Sequence, residues 1–350
     1  MKITKTDLLS VLDLVKPAIA KKETLETMTH YIFTGEDVVT YNDKICIHHP
    51  FKMELEAPFS VKADLFYKVV ASVDSEDIDM EIIDGNIMFN SERSKGRFAT
   101  KTEDIEVSDR IKTVAEEFSK YDWFPLPKDF STAVNLLKFS ADKDKTNVLS
   151  CMKFEGDSAY CGSESRMGWY EFEKGTLATK EFLVDAESMA ELSNFRNIKE
   201  MCITEKWIHF AEPSEVIYSI RKRMGEYLNA DKVFTDFTGE ELKFPQTIKE
   251  DVSFVSIMVD DMASSDKCIN FQFEPDNIIL TAAASEGLAD IVRTCENPTE
   301  IKGKLSFDIN PIFFNEVIGN TLGGEGQVLY SKKAILIKLE RLQHLIALIR

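Results

Sequence analysis

The sequence predicts an α+β fold built from three repeats, each a pair of helix-plus-sheet modules. Two sets of similar segments carry that prediction. "FSVKADLFYKVVASV" begins at Phe59, "FLVDAESMAELSNF" at Phe182 and "LSFDINPIFFNEVIG" at Leu305, a spacing of 123 residues both times (182 less 59, and 305 less 182). About half a period away stand "ITKTDLLSVLDLVKPAIAKK" from Ile3, "PKDFSTAVNLLKFSADKDK" from Pro127 and "KEDVSFVSIMVDDMASSDK" from Lys249. The period divides the chain into domains at 1–122, 123–247 (with a linker) and 248–350.

Taken in order, the opening segment reads as a helix with Leu8, Val11, Leu12, Val15 and Ile19 on one face. "YIFTGEDVVTYN", "MKFEGDSAYCGS" and "FQFEPDNIILTA" follow the members of this set as strand pairs around Gly35, Gly156 and Pro275, headed by Phe33, Phe154 and Phe273. The other set passes from a strand end into a short helix, in the first copy with Leu65, Val69 and Val73 as the expected apolar face. Hairpins come next: "DIDMEIIDGNIMFN" with an Asp84-Gly85 turn, "IKEMCITEKWIHF" and "QVLYSKKAILIKL", each trailed by one more strand. Repeated helix-on-sheet modules form a curved layer whose concave side is the usual working surface.

Composition narrows the classes. With 350 residues and 44% apolar content the chain has material for more than one core. No apolar run approaches the roughly 18 residues of a membrane span, and the start lacks a leader pattern, so a cytoplasmic protein is expected. Six scattered cysteines give neither a metal spacing nor a disulfide framework. Forty-two basic against 60 acidic residues leave a formal charge of −18, which argues against nucleic acid unless the lysines are segregated onto one surface.

The opening "MKITKTDLLSVLDLV", the helix "SVKADLFYKVVASV", the "SKGRFAT" strand, "FLVDAESMAELSNF", "FDINPIFFNEVI" and the terminal "LIALIR" together resemble the bacterial and phage β sliding clamp family, the processivity subunit (beta subunit) of DNA polymerase III. The resemblance spans the whole chain and rests on the order and period of these segments. It implies three clamp-type domains, a closed head-to-tail dimeric ring with helices lining a central hole, and no catalysis or cofactor. Such a ring encircles duplex DNA without reading bases, is opened by an ATP-dependent clamp loader, and tethers the replicative DNA polymerase and other replication and repair proteins.

For DNA contact the resemblance points to Lys16, Lys21, Lys22, Lys68, Lys138, Lys143, Lys145, Arg196 and Lys199 on inner helices, with Lys95 and Arg97 at the ring face. The third domain departs from this, because its first helix carries Asp260 and Asp261 and its second carries no basic residue. A pocket for partner peptides would draw on Ser165, Arg166, Met167, Gly225, Ala230, Leu345, Ala347, Leu348, Ile349 and Arg350, with the last residues leaving the sheet to wall it. At the dimer seam Met262 and Ala263 would face Ile105 and Val107 of the other copy.

Two other classes compete: a β-rich repeat scaffold that binds proteins but not DNA, and a hydrolase using an acidic pair. "CGSESRMG" is not a nucleophile elbow, "GGEGQ" lacks the Lys of a phosphate loop, and no zinc-protease motif occurs. His48 and His49 are adjacent on a strand and point to opposite faces, which disfavours a shared metal.

Overall fold

A computed structural model describes residues 2–349, apart from 23–24, 56, 103–104, 178, 196, 264–265, 285–288, 301–303 and 322–325. Its helices are α1 (Lys5–Val15), α2 (Ala63–Ser72), α3 (Ile105–Lys120), α4 (Phe130–Leu137), α5 (Ala186–Ala190), α6 (Ala230–Thr235), α7 (Ile248–Ser256) and α8 (Pro311–Thr321). Among the described residues no helix is long and apolar enough to cross a membrane.

Helix α1 shows why these segments fold as they do. Thr4 caps its start, accepting a hydrogen bond from the Asp7 amide, and Asp7 adds a negative charge to the first turn. Leu8, Val11, Leu12 and Val15 form the buried stripe, and Pro17 follows the last turn. In α2 the face differs from the expected one. Leu65 is 56% exposed, whereas Ala63, Phe66 and Val70 are buried, with Val73 just past the end. The strand Phe59–Lys62 feeds directly into α2, so the helix is phased by Phe66, which packs edge-on against Tyr31 and Phe33.

By internal contacts the chain forms two compact units, Met1–Lys128 with Glu187–Arg223, and Asp129–Ala186 with Met224–Arg350. The first has an antiparallel sheet in the order Phe124–Pro125, Glu200–Ile203, Trp207–Ala211, Ile217–Arg223, Ile45–Pro50, Asp37–Tyr41, His30–Phe33, Phe59–Lys62, Lys101–Thr102. A second sheet runs Lys2–Thr4, Asp77–Ile83, Asn86–Asn90, Lys95–Ala99. The turn in its hairpin needs positive φ at Asp84 (49°) and Gly85 (69°), the mirror-image geometry that suits twisted hairpins.

The other unit has a sheet ordered Glu240–Leu242, Gln327–Tyr330, Ala334–Lys338, Leu342–Ala347, Arg166–Glu171, Ser158–Gly162, Cys151–Gly156, Thr179–Asp185. Its second sheet runs Asp290–Glu296, Asn277–Ala283, Ile269–Phe273, Leu305–Ile309. The phenylalanines heading the repeated turns have equivalent places. Phe33 stacks on Phe59 and Phe154 on Phe182, both with ring centroids 4.9 Å apart, and Phe273 lies 5.9 Å from Phe307.

Helix α3 has no counterpart in the sequence prediction, which left its residues at the first domain boundary. It covers the sheet face opposite α1. Thr40 donates to the Val15 carbonyl on the α1 side, while the alternate residues Val39 and Tyr41 join Met28, Ile32, Cys46 and Trp207 around Ile111 and Val114 of α3. Arg110 pairs with Asp43 at 2.6 Å and Glu117 accepts from the Thr204 hydroxyl, which fixes the helix at both ends. Phe118 lies between the rings of His48 and His209, at 5.6 and 5.4 Å. Ile111→Ala should cost about 2–4 kcal/mol, as other large-to-small core changes do, and should speed amide exchange along α3. A urea midpoint equal to that of the parent would show that the helix is not held by this cluster.

Candidate DNA-facing and peptide-binding residues

In the first unit Lys16 starts the short 3-10 turn after α1, and its ammonium lies 4.7 Å from the centre of the Tyr67 ring on α2. Lys21, Lys22 and Lys68 are exposed. Lys21 borders a cleft of about 300 Å³ shared with Lys44, Glu187 and Glu191. Lys95 and Arg97 are exposed on the strand Lys95–Ala99, the last strand of its sheet. Lys199 is exposed beside the strand Glu200–Ile203, and Arg196 lies outside the described residues.

In the second unit Lys138 follows α4 and donates to the Asn135 side chain at 2.7 Å. Lys143 and Lys145 are exposed on a loop tied by its acidic neighbours. Asp142 accepts from the Asp144 amide and the Asn147 side chain, and Asp144 accepts from the Thr146 amide and hydroxyl. The Thr146 bonds hold the Asp144 carboxyl below its usual range. These carboxylates are engaged within the loop.

Helix α7 has a different surface. Glu250, Phe254, Ile257, Asp260 and Asp261 are exposed on it and the turn that follows, with Phe254 44% and Ile257 59% exposed. Asp251 is buried and paired with Arg293 at 2.7 Å.

Several residues of the expected peptide pocket fall in one cluster. Met167, Ala230 and Leu345 pack with Cys151, Tyr160, Tyr227 and Phe234, where α6 covers one face of the sheet. Asn229 caps α6 by accepting from the Lys232 amide, and Tyr160 donates to Asp231. Trp169 lies 5.9 Å from Tyr160 and 5.5 Å from Phe234. The sequence reading missed these aromatics, although Tyr227, Ala230 and Phe234 recur at helical spacing. Gly225 has φ 150°, a conformation open to glycine, and a Cβ there would lie 3.1 Å from Val148.

Arg166 lies on the opposite face from Met167, as strand alternation requires. It is 7% exposed, donates to Glu316 of α8 and to the Phe139 carbonyl, and lies over the Phe139 and Phe313 rings. Ser165 accepts the Ala347 amide at 2.8 Å. Leu345 and Ala347 remain within the strand Leu342–Ala347, and the chain leaves the sheet only at Leu348. Leu348 packs on the cluster around α7 and α8, and Ile349, 38% exposed, bridges to Asp308. Arg350 lies outside the described residues.

Of the expected seam residues, Ile105 opens α3 and Val107 lies in its first turn, while their side chains fall outside the described set. Met262 is half-buried against the α7 and α8 cluster, and Ala263 is exposed.

His344 is fully buried and stacked on the Phe139 ring at 5.3 Å. Gly168 makes room for it, since a Cβ there would approach Leu137 to 2.6 Å and His344 to 3.2 Å. Burial pushes the His344 imidazole down to about 3, and the Arg166 charge adds to this. Burial lowers His209 in the first unit to about 3 as well, helped by His48. Unfolded, both imidazoles gain a proton below about pH 6.5. The unfolded chain then holds more protons, so stability should fall as pH drops from about 6.5 towards 3, by up to about 1.4 kcal/mol per pH unit for each histidine. In melts across that range His344→Leu should flatten the decline; an unchanged slope would exclude His344 as its source.

No family model and no curated protein matches the chain. Solved structures do. The DNA polymerase sliding clamp of Bacillus subtilis aligns with a TM-score of 0.83 at 14% identity, over 100% of this chain and 98% of that one. The DNA polymerase III beta subunit of Thermotoga maritima gives 0.81 at 15%, covering 100% and 98%. The sliding clamp of Pseudomonas aeruginosa gives 0.79 at 14%, covering 100% and 99%. From end to end, the chain has the fold of the bacterial DNA polymerase sliding clamps.

Proposed function

We propose that the chain is a DNA sliding clamp: a non-enzymatic ring, formed by two copies head to tail, that encircles duplex DNA and tethers a DNA polymerase. The observation that carries this reading is the full-length likeness to clamps, with neither chain extending far beyond the other. A second feature supports a ring of copies. In each unit the small sheet ends on a strand, Lys95–Ala99 or Asp290–Glu296, whose outer edge pairs with no other described strand. Two such edges can complete each other between copies, a heterologous contact that closes when the ring is full. On this reading the seam lies along these strands, with Met262 and Ala263 near it and Ile105 and Val107 on the adjoining α3.

Topological binding requires only weak phosphate contacts, and on this reading Lys16, Lys21, Lys22, Lys68, Lys138, Lys143, Lys145 and Lys199 would supply them from an otherwise acidic body. Tethering makes each re-engagement of the polymerase effectively intramolecular. A closed ring needs a loader to open it, and the family's ATP-dependent clamp loader is the partner for that step. The cluster around Met167, Ala230 and Leu345 is the proposed seat for partner peptides.

Loaded onto a nicked circular plasmid, the chain should stay bound through gel filtration and be released when the plasmid is cut. Equal retention on linear DNA would sink the ring. Replacing Lys16, Lys21 and Lys22 with alanine should reduce the steepness of log affinity against log salt by about 2–3. Removing residues 348–350 should abolish polymerase stimulation and leave the dimer intact, with a lower melting temperature because Leu348 packs on the α7 and α8 cluster and Ile349 bridges to Asp308. Loss of the dimer instead would assign these residues a structural role.

A further inference from the structure

We propose that the first unit carries a second docking cleft, for a partner segment that combines apolar side chains with lysine or arginine. The cleft, about 410 Å³, lies between residues 53–55 and 57–59 and the hairpin Asp77–Ile83/Asn86–Asn90. That volume is in the range of preformed ligand sites, roughly 300–1,000 Å³. Met53, Leu55, Phe59, Met80, Ile82 and Ile87 supply its apolar surface.

Strand alternation shows that this surface is unfinished core. Ile78, Met80 and Ile82 share one face of their strand; the first two are 1% and 4% exposed, but Ile82 is 42% exposed. Its cross-strand partner Ile87 is fully buried, so the apolar layer stops at Ile82 and meets the cleft. The wall is fixed in advance. Thr100 donates both its amide and its hydroxyl to the Gly85 carbonyl, at 3.1 and 2.6 Å, which pins the hairpin end and lowers the ordering cost of binding.

Charge selects the occupant. Among the described residues the charged side chains lining the cleft are Glu54 and Glu81, both exposed, and Asp84 is exposed at the hairpin turn beside Gly85. An anionic rim around an apolar slot attracts a cationic segment and repels acidic peptides and nucleic acid. The occupant is therefore a basic, apolar stretch of a partner protein, and neither DNA nor ring closure enters the inference.

The test is fluorescence anisotropy of the full chain with a fluorescein-labelled hexapeptide, Gly-Leu-Lys-Leu-Lys-Gly. Control peptides carry glutamate for lysine or serine for leucine. The leucine–lysine peptide should bind saturably, and both controls at least about tenfold more weakly. The E54Q/E81Q and I82S proteins, checked for folding by circular dichroism, should each lose about fivefold or more in affinity. F254S, altering an exposed residue of the second unit, should bind as the parent does. Absence of saturable binding, parity with either control peptide, unaltered affinity in either cleft variant, or a matching loss in F254S would overturn the proposal.

Discussion

The ladder between Ile217–Arg223 and Ile45–Pro50 joins segments far apart in the chain, with Ile217 opposite His48, 169 positions away (217 less 48). The strand Leu342–Ala347 is held in the same way against Arg166–Glu171, over five registered pairs. Each module has only a helix and a few strands, too little to bury both faces and satisfy both edges of its sheet. Continuing the sheet into another module satisfies an edge and extends the apolar layer together. This constraint explains why the compact units cut across the 123-residue period. The second half of the middle repeat is sewn to the first repeat, and its first half to the third.

With the edges joined, the sheet faces become distinct environments. On the helix side the repeats keep one recipe: a buried apolar stripe on the helix and a stacked phenylalanine pair beneath it. On the other side the units have diverged. Helix α3 closes part of that face in the first unit through Ile111, Val114 and Phe118; α6 does so in the second through Ala230 and Phe234. Both covers enclose groups that must stay neutral or paired, His209 beside Phe118 and Tyr160 bound to Asp231.

Charge follows the same division. Arg166 is enclosed by Glu316, a carbonyl and two rings, and Asp251 by Arg293 and Thr247, so these ions serve packing and not the surface. Lysines around α1, α2 and the 143–145 loop lie exposed at the surface. Helix α7 instead presents Phe254, Ile257 and carboxylates, so the surface charge is carried unevenly by the repeats.

Much of the architecture was legible because its signals are local and recur. The Asp84-Gly85 turn, the alternating hairpins, the stripe of α1 and the three-fold period all follow from spacing that a chain obeys whatever surrounds it. The face of α2 was read one position off, because the periodicity admits neighbouring stripes and only Phe66 docking on Tyr31 and Phe33 selects one. Helix α3 was missed although Ile111, Val114 and Phe118 have helical spacing, since nothing local says which surface such a stripe will cover. Among the site residues, Met167, Ala230 and Leu345 meet, while Arg166 turns away because a strand sends neighbours to opposite faces. By itself the sequence determined the modules, their order and the charges each carries, since these depend on neighbours along the chain. Tertiary structure alone decided which strands join, which face each charged or aromatic side chain occupies and where the apolar layer stops short at Ile82, because those outcomes depend on register between distant segments.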